Sequence, residues 1–108
     1  MKLVPSGGGH VDGVTATVVL EFKSGAADEH LKKMPAMLIE TRNFQGFRDI
    51  RVLRHEDNPD RLILIEDWDS ITDYRAYVAW RTEQGTMDNV GQMLAVPPRI
   101  DVWSQRIL

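Results

Sequence analysis

The chain has no cysteine. Disulfides, thiolate metal sites and a cysteine nucleophile are therefore excluded, and the composition suits a reducing compartment. No stretch approaches the ~20 apolar residues of a membrane span. The opening "MKLVPSGGGHVDG" lacks the apolar core of roughly 7–15 residues that a secretory signal carries, so the expected location is the cytoplasm. Excess positive charge is missing too: 13 lysines and arginines against 16 aspartates and glutamates give a net charge of -3. A surface that binds nucleic-acid phosphates needs the opposite balance. The three histidines, His10, His30 and His55, show no metal-ligand spacing. No serine stands in a Gly-x-Ser-x-Gly elbow.

Aromatic residues are also few: three tryptophans, two tyrosines and three phenylalanines. They are unevenly placed. The stretch "EDWDSITDYRAYVAWR" over 66–81 holds Trp68, Tyr74, Tyr77 and Trp80, including both tyrosines of the chain. The rings are either core or the walls of a place where a planar molecule sits. The rest of the composition, 43% hydrophobic and 27% charged over 108 residues, is that of one ordinary globular domain.

Residues 1–13, with Pro5, Ser6 and Gly7 to Gly9, read as a flexible arm, and 14–108 as the folded domain. "VTATVVLEFK" (14–23) alternates, with Val14, Ala16, Val18, Leu20 and Phe22 on one face, and predicts a half-buried strand. "DEHLKKMPAMLIETR" (28–42) predicts a helix with Leu31, Met34 and Leu38 inward and a kink near Leu31 to Met34 caused by Pro35. "RDIRVLRH" (48–55) and "RLILIEDW" (61–68) predict an antiparallel hairpin around the turn "EDNPD". The Leu62 to Ile65 run is apolar on both faces, which predicts a central strand. Ser70 and Asp73 resemble a capping box for a helix over roughly 71–84, on which Tyr74, Tyr77, Val78 and Arg81 share a face. "MDNVGQMLA" is a short helical piece, and "PPRIDVWSQRIL" ends as a strand. The order β–α–β–β–α–β predicts an α+β, ferredoxin-like fold with a four-stranded antiparallel sheet. Helices cover one face of such a sheet. The other carries apolar residues such as Val19, so a homodimer through the sheet face is expected.

The frame "ETRNFQGFRDIRVLRHEDNPDRLILIEDWDSITDYRAYVAWRTEQG" resembles the antibiotic biosynthesis monooxygenase (ABM) family. The marks are the Gly46–Phe47 step after a helix, the "DNPDR" turn, and Glu66, Trp68 and Ser70 leading into an aromatic-bearing helix. The resemblance covers about residues 14–103. It implies a dimeric α+β barrel with a small apolar pocket between sheet and helices. It further implies oxidation of phenols or quinols by O2 without metal or flavin, hence no cofactor; another branch of the family binds haem. Two positions depart from the family pattern. Tyr77 stands where a histidine is common on the second helix, and Leu64 stands where an asparagine is common.

The resemblance gives a monooxygenase acting on a small aromatic, phenol- or quinol-like molecule, with a non-catalytic binding module, or haem binding, as alternatives. Trp68, Tyr74 and Tyr77 are the candidate catalytic residues: Trp68 as a pocket wall stacking on a flat substrate or else a core ring, and the tyrosines as hydroxyls that could hold a phenolate, with a core role the plainer reading. Arg81 and His30 are candidate substrate-binding residues. Arg81 could instead snorkel or pair with a carboxylate such as Glu66, and a solvent-exposed His30 is the simpler expectation. Glu66, Asp67 and Asp69 read as solvated or helix-terminus carboxylates.

Overall fold

The computed structural model describes residues 13–108. The expected arm, His10 included, lies outside them apart from Gly13. The elements are β1 (Val14–Glu21), α1 (Ala26–Arg42), β2 (Phe47–Arg54), β3 (Arg61–Trp68), α2 (Ile71–Glu83), α3 (Thr86–Met93) and β4 (Arg99–Trp103). The sheet has the order β2-β3-β1-β4, with every neighbouring pair antiparallel. This is the ferredoxin-like arrangement expected, with β3 central. The short helical piece before β4 is a helix of its own, so two helices precede the last strand.

Alternation determines which side chains face the helices. Val14, Ala16, Val18 and Leu20 pair across to Trp68, Glu66, Leu64 and Leu62. Because side chains on a strand alternate between faces, all eight point the same way. α1 places Ala27, His30, Met34 and Thr41 against that face at helical spacing. It passes through Pro35 as one helix. Its first turn has no cap from its own chain segment; Asp60, in the β2–β3 turn, accepts from the Gly25 and Ala27 amides at 3.1 and 3.3 Å. The hairpin turn thus satisfies donors that the helix leaves open.

α2 begins as the sequence predicts. Ser70 Oγ accepts from the Asp73 amide at 3.0 Å. Asp73 does not complete a reciprocal box; its carboxylate takes the Ser70 hydroxyl proton at 3.1 Å. The same carboxylate fills the space over Gly46, whose φ of 86° is left-handed and where any Cβ would collide with it. Gly46 is therefore needed both for its backbone conformation and for its missing side chain.

The buried residues form two groups. Leu20, Phe22, Ala27, Leu62 and Leu94 make one. Val14, Ala16, Trp68 and Tyr74 make the other, with Phe44, Phe47, Tyr77 and Val78 packed on it. The space between them holds the site described below. On the opposite side of the sheet no described helix covers Val19, Ile63, Ile65, Leu53 and Trp103; Leu53 is 46% and Trp103 61% exposed. Among the described residues no helix is long and apolar enough to cross a membrane.

Candidate functional site

A cavity of about 150 Å³ lies between the sheet and the three helices. Val18, Leu64, Met34, Leu38, Val78 and Val90 make its middle apolar. Its exposed lining residues, Met87, Gly91, Pro98 and Ile100, belong to α3, β4 and the segment joining them, so the mouth lies there. Its two ends differ. Glu66, Tyr74, Tyr77, Arg81 and Thr41 line one; His30, Leu20 and Leu94 line the other.

The polar end is organised by Arg81, which is buried. Its Nε donates to the Tyr77 hydroxyl at 3.0 Å. One terminal nitrogen, Nη1, donates to Glu40 Oε1 at 3.1 Å. The other, Nη2, donates to the Met37 carbonyl at 2.8 Å and to Thr41 Oγ1 at 3.0 Å. Thr41 Oγ1 also lies 3.2 Å from the Met37 carbonyl and 2.8 Å from the Tyr77 hydroxyl. One proton assignment satisfies every contact: Thr41 donates to Met37, and Tyr77 donates to Thr41 while accepting from Arg81. The guanidinium also lies over Trp80, 4.6 Å from that ring's centre. Arg81 therefore neither snorkels nor bonds Glu66; it ties α2 to α1.

Two polar groups at this end are left open. The Tyr74 hydroxyl has no hydrogen-bond partner among the described residues, although the ring is buried and borders the cavity. Burial first, then the Glu66 charge and Tyr77, push its pKa up to about 12, so it stays a donor at neutral pH. Glu66 is 5% exposed. Its Oε1 accepts from the Trp68 indole at 3.1 Å; Oε2 has no partner among the described residues. Burial raises the Glu66 pKa above the ordinary 4.5, and the indole hydrogen bond and the Arg81 charge only partly oppose that rise.

The raised pKa makes stability pH-dependent. The folded state disfavours the ionised carboxyl. That cost is absent below the unfolded value near 4.5 and grows as pH rises from there through the higher folded value. Glu66→Gln keeps an oxygen for the indole and removes the charge. The variant is expected to melt above the wild type at about pH 8, with the gap closing at about pH 4; calorimetry at both values checks it.

Three expectations need correction. Trp68 is 0% exposed but does not line the cavity. Phe44, Phe47, Tyr74 and Tyr77 surround its ring, with the Tyr77 ring centre 4.8 Å away. The tyrosines stand between the indole and the hollow, so the indole backs the wall. His30 is buried and borders the cavity, with its ring 5.2 Å from Phe22. Burial and, secondarily, Lys33 lower its pKa, which keeps the imidazole neutral. It is exposed only on a reading that turns Leu31 inward; the helix turns His30 inward instead. Glu66 is a buried cavity residue, not a solvated one. Strand alternation already placed it on the Trp68 face. Nothing local in the sequence marks Thr41, which is buried and lines the cavity. Tyr74, Tyr77, Arg81 and His30 are brought to one cavity.

The sequence profile for antibiotic biosynthesis monooxygenases matches residues 13–84. The chain belongs to this family. No curated protein matches it in sequence. Solved structures share the fold at low identity. A conserved protein from Methanosarcina mazei Go1 superposes with a TM-score of 0.78 at 15% identity, covering 90% of this chain and 97% of its own. For Rv0793 from Mycobacterium tuberculosis the values are 0.76, 19%, 88% and 96%. The monooxygenase from ActVA-Orf6 of Streptomyces coelicolor, in complex with nanaomycin D, gives 0.71 and 17%, covering 89% of each chain. ABM membership carries a general monooxygenase or small-molecule-binding role. The cavity, open at its mouth, has a volume of about 150 Å³, space for one benzene-sized ring. The Tyr77 hydroxyl is engaged by Arg81 and Thr41.

Proposed function

We propose that this ABM protein is a cofactor-independent monooxygenase whose substrate is an aromatic, phenol- or quinol-like molecule with one ring inside the cavity. The supporting observation is a ring-sized apolar hollow with the Tyr74 hydroxyl and the Glu66 Oε2 oxygen, both without a partner among the described residues, at one end. A substrate hydroxyl can accept from the first and donate to the second. The apolar middle excludes water, and the substrate itself supplies the electrons for O2. Oxygen consumption by metal-stripped protein with a panel of hydroquinones and anthrones tests the reading. Single-ring quinols are expected to turn over faster than three-ring anthrones. Saturable binding with no oxygen uptake would make the protein a binding module instead.

The helix-free sheet face supports a homodimer, since a solvent-facing patch with Trp103 at 61% and Leu53 at 46% exposure costs hydration free energy in a monomer. Light scattering is expected to give twice the monomer mass of 12.3 kDa. Trp103→Glu is expected to halve the observed mass; a dimer that survives this charge would place the interface elsewhere.

A further inference from the structure

The lining of the cavity offers few proton acceptors. Tyr74 is held protonated, Tyr77 and Thr41 have their protons assigned within the Arg81 network, and Arg81 is a cation. That leaves Glu66 and His30. Their positions separate them. Glu66 pairs with Ala16, while Leu20, which shares the end with His30, pairs with Leu62. Four strand residues separate the two ends, roughly 13 Å. An anion formed beside His30 would sit among Leu20, Phe22 and Leu94. An anion formed beside Glu66 would sit near the Tyr74 donor and the Arg81 charge. The second location wins on electrostatics.

We propose that the Glu66 carboxylate is the catalytic base, taking the hydroxyl proton of the bound ring and later returning it to oxygen. The Trp68 indole holds Oε1; Glu66 lines the cavity, and its Oε2 has no hydrogen-bond partner among the described residues. For a hydroquinone with an unsubstituted neighbouring carbon the steps balance. Glu66 takes the hydroxyl proton, and the electron pair becomes available at that carbon. The carbon forms a C–O bond with O2, which is reduced to a bound peroxide. The Glu66 acid protonates the peroxide. The carboxylate then removes the hydrogen from the same carbon as the C=O bond forms and the O–O bond breaks. The departing hydroxide takes that proton from Glu66 and leaves as water. One oxygen atom enters the ring, the other becomes water, and the ring loses two hydrogens. The identification of the base rests on the oxygenase reading only for the steps that involve O2.

The groups facing Glu66 that could shape its pH response are Tyr74, Tyr77 and Arg81 from α2, Glu40 from α1 through Arg81, and Trp68 on its own strand. His30 borders the same cavity from α1. The neighbours of Glu66 across β1 and β2, Ala16 and Ile50, carry no charge. The lining residues of α3 and β4, such as Thr86 and Ile100, carry none either.

The test has two arms. In the first, exchange of resorcinol ring hydrogens in deuterium oxide under nitrogen is followed by proton NMR. In the second, oxygen uptake with hydroquinone is followed from about pH 4.5 to 8. Glu66→Gln is expected to slow both by about 100-fold, with KM within about threefold of wild type and the acid limb of kcat/KM gone. Glu66→Asp is expected to recover part of the loss. A single cooperative melting transition, with Trp68 still buried as read by its fluorescence, shows that the variants fold. Exchange that depends on Glu66 without oxygen uptake supports the base and overturns the oxygenase reading. Uptake that ignores Glu66→Gln does the reverse. Exchange lost on His30→Gln and kept in Glu66→Gln overturns the proposal, and so does a wild type that catalyses neither reaction.

Discussion

Trp68→Ala is expected to remove about 4 kcal/mol of stability and to lower Tm by roughly 15–30 °C. The indole is fully buried and its neighbours are themselves rings on three different segments: Phe44 after α1, Phe47 on β2, and Tyr74 and Tyr77 on α2. Rings of that size cannot close around an alanine without moving α2, so most of the vacated volume persists as a cavity. A second loss adds to the first. Glu66 Oε1 has the indole as its one donor among the described residues, and its removal leaves a buried carboxylate oxygen unpaired. Trp68→Phe separates the two. It keeps most of the ring and deletes the N–H, and is expected to cost about 1–2 kcal/mol. Urea unfolding followed by circular dichroism measures both. A Trp68→Ala variant within about 1 kcal/mol of wild type would show that the indole is not a packed element and that α2 is free to collapse on β3.

The strands were readable because a period of two survives in any surroundings. Val14, Ala16, Val18 and Leu20 state their common face without help, and "RLILIEDW" is β3 to the residue. The candidate site was readable only in part, and the misreadings share a cause. Glu66 stands among Asp67 and Asp69, and three neighbouring carboxylates suggest water. What buries Glu66 is partly non-local: Ala16, opposite it on β1, leaves room, while Trp68 two residues on supplies a donor. At His30 the apolar spacing and the buried face differ by one helical step. Leu31, Met34 and Leu38 gave the apolar stripe one phase, whereas the sheet selects Ala27, His30, Met34 and Thr41. Leu31 still packs at the edge of the core, so both phases bury carbon. The choice lies in the shape of the opposing sheet. The cavity itself could not be read at all, because its volume is set by how two separate groups of core residues fail to meet.

Arg81 gives the second large effect, expected from Arg81→Met at about 2–4 kcal/mol. An isolated ion pair would not justify that figure. Glu40 is 55% exposed, and water can replace the guanidinium there, so the Glu40 contact alone is worth less than about 1 kcal/mol. The other partners cannot rehydrate so easily. Thr41 is buried, Tyr77 is half-buried, and the Met37 carbonyl lies on the helix face turned to Arg81. Methionine fills the stem's volume but donates nothing to three oxygens. Arg81→Lys carries the charge, yet one ammonium cannot reach Tyr77, Thr41, Met37 and Glu40 from a single point, and it loses the flat contact with Trp80. Its expected cost is about half that of methionine. Glu40→Gln should cost least, under about 1 kcal/mol. Thermal unfolding of the three variants, at low and high salt, orders them. If Glu40→Gln proved as damaging as Arg81→Met, the surface ion pair would be what joins α2 to α1, and the hydrogen bonds to Met37, Thr41 and Tyr77 would be incidental. The order Glu40→Gln, Arg81→Lys, Arg81→Met, unchanged by salt, is the result that the buried network requires.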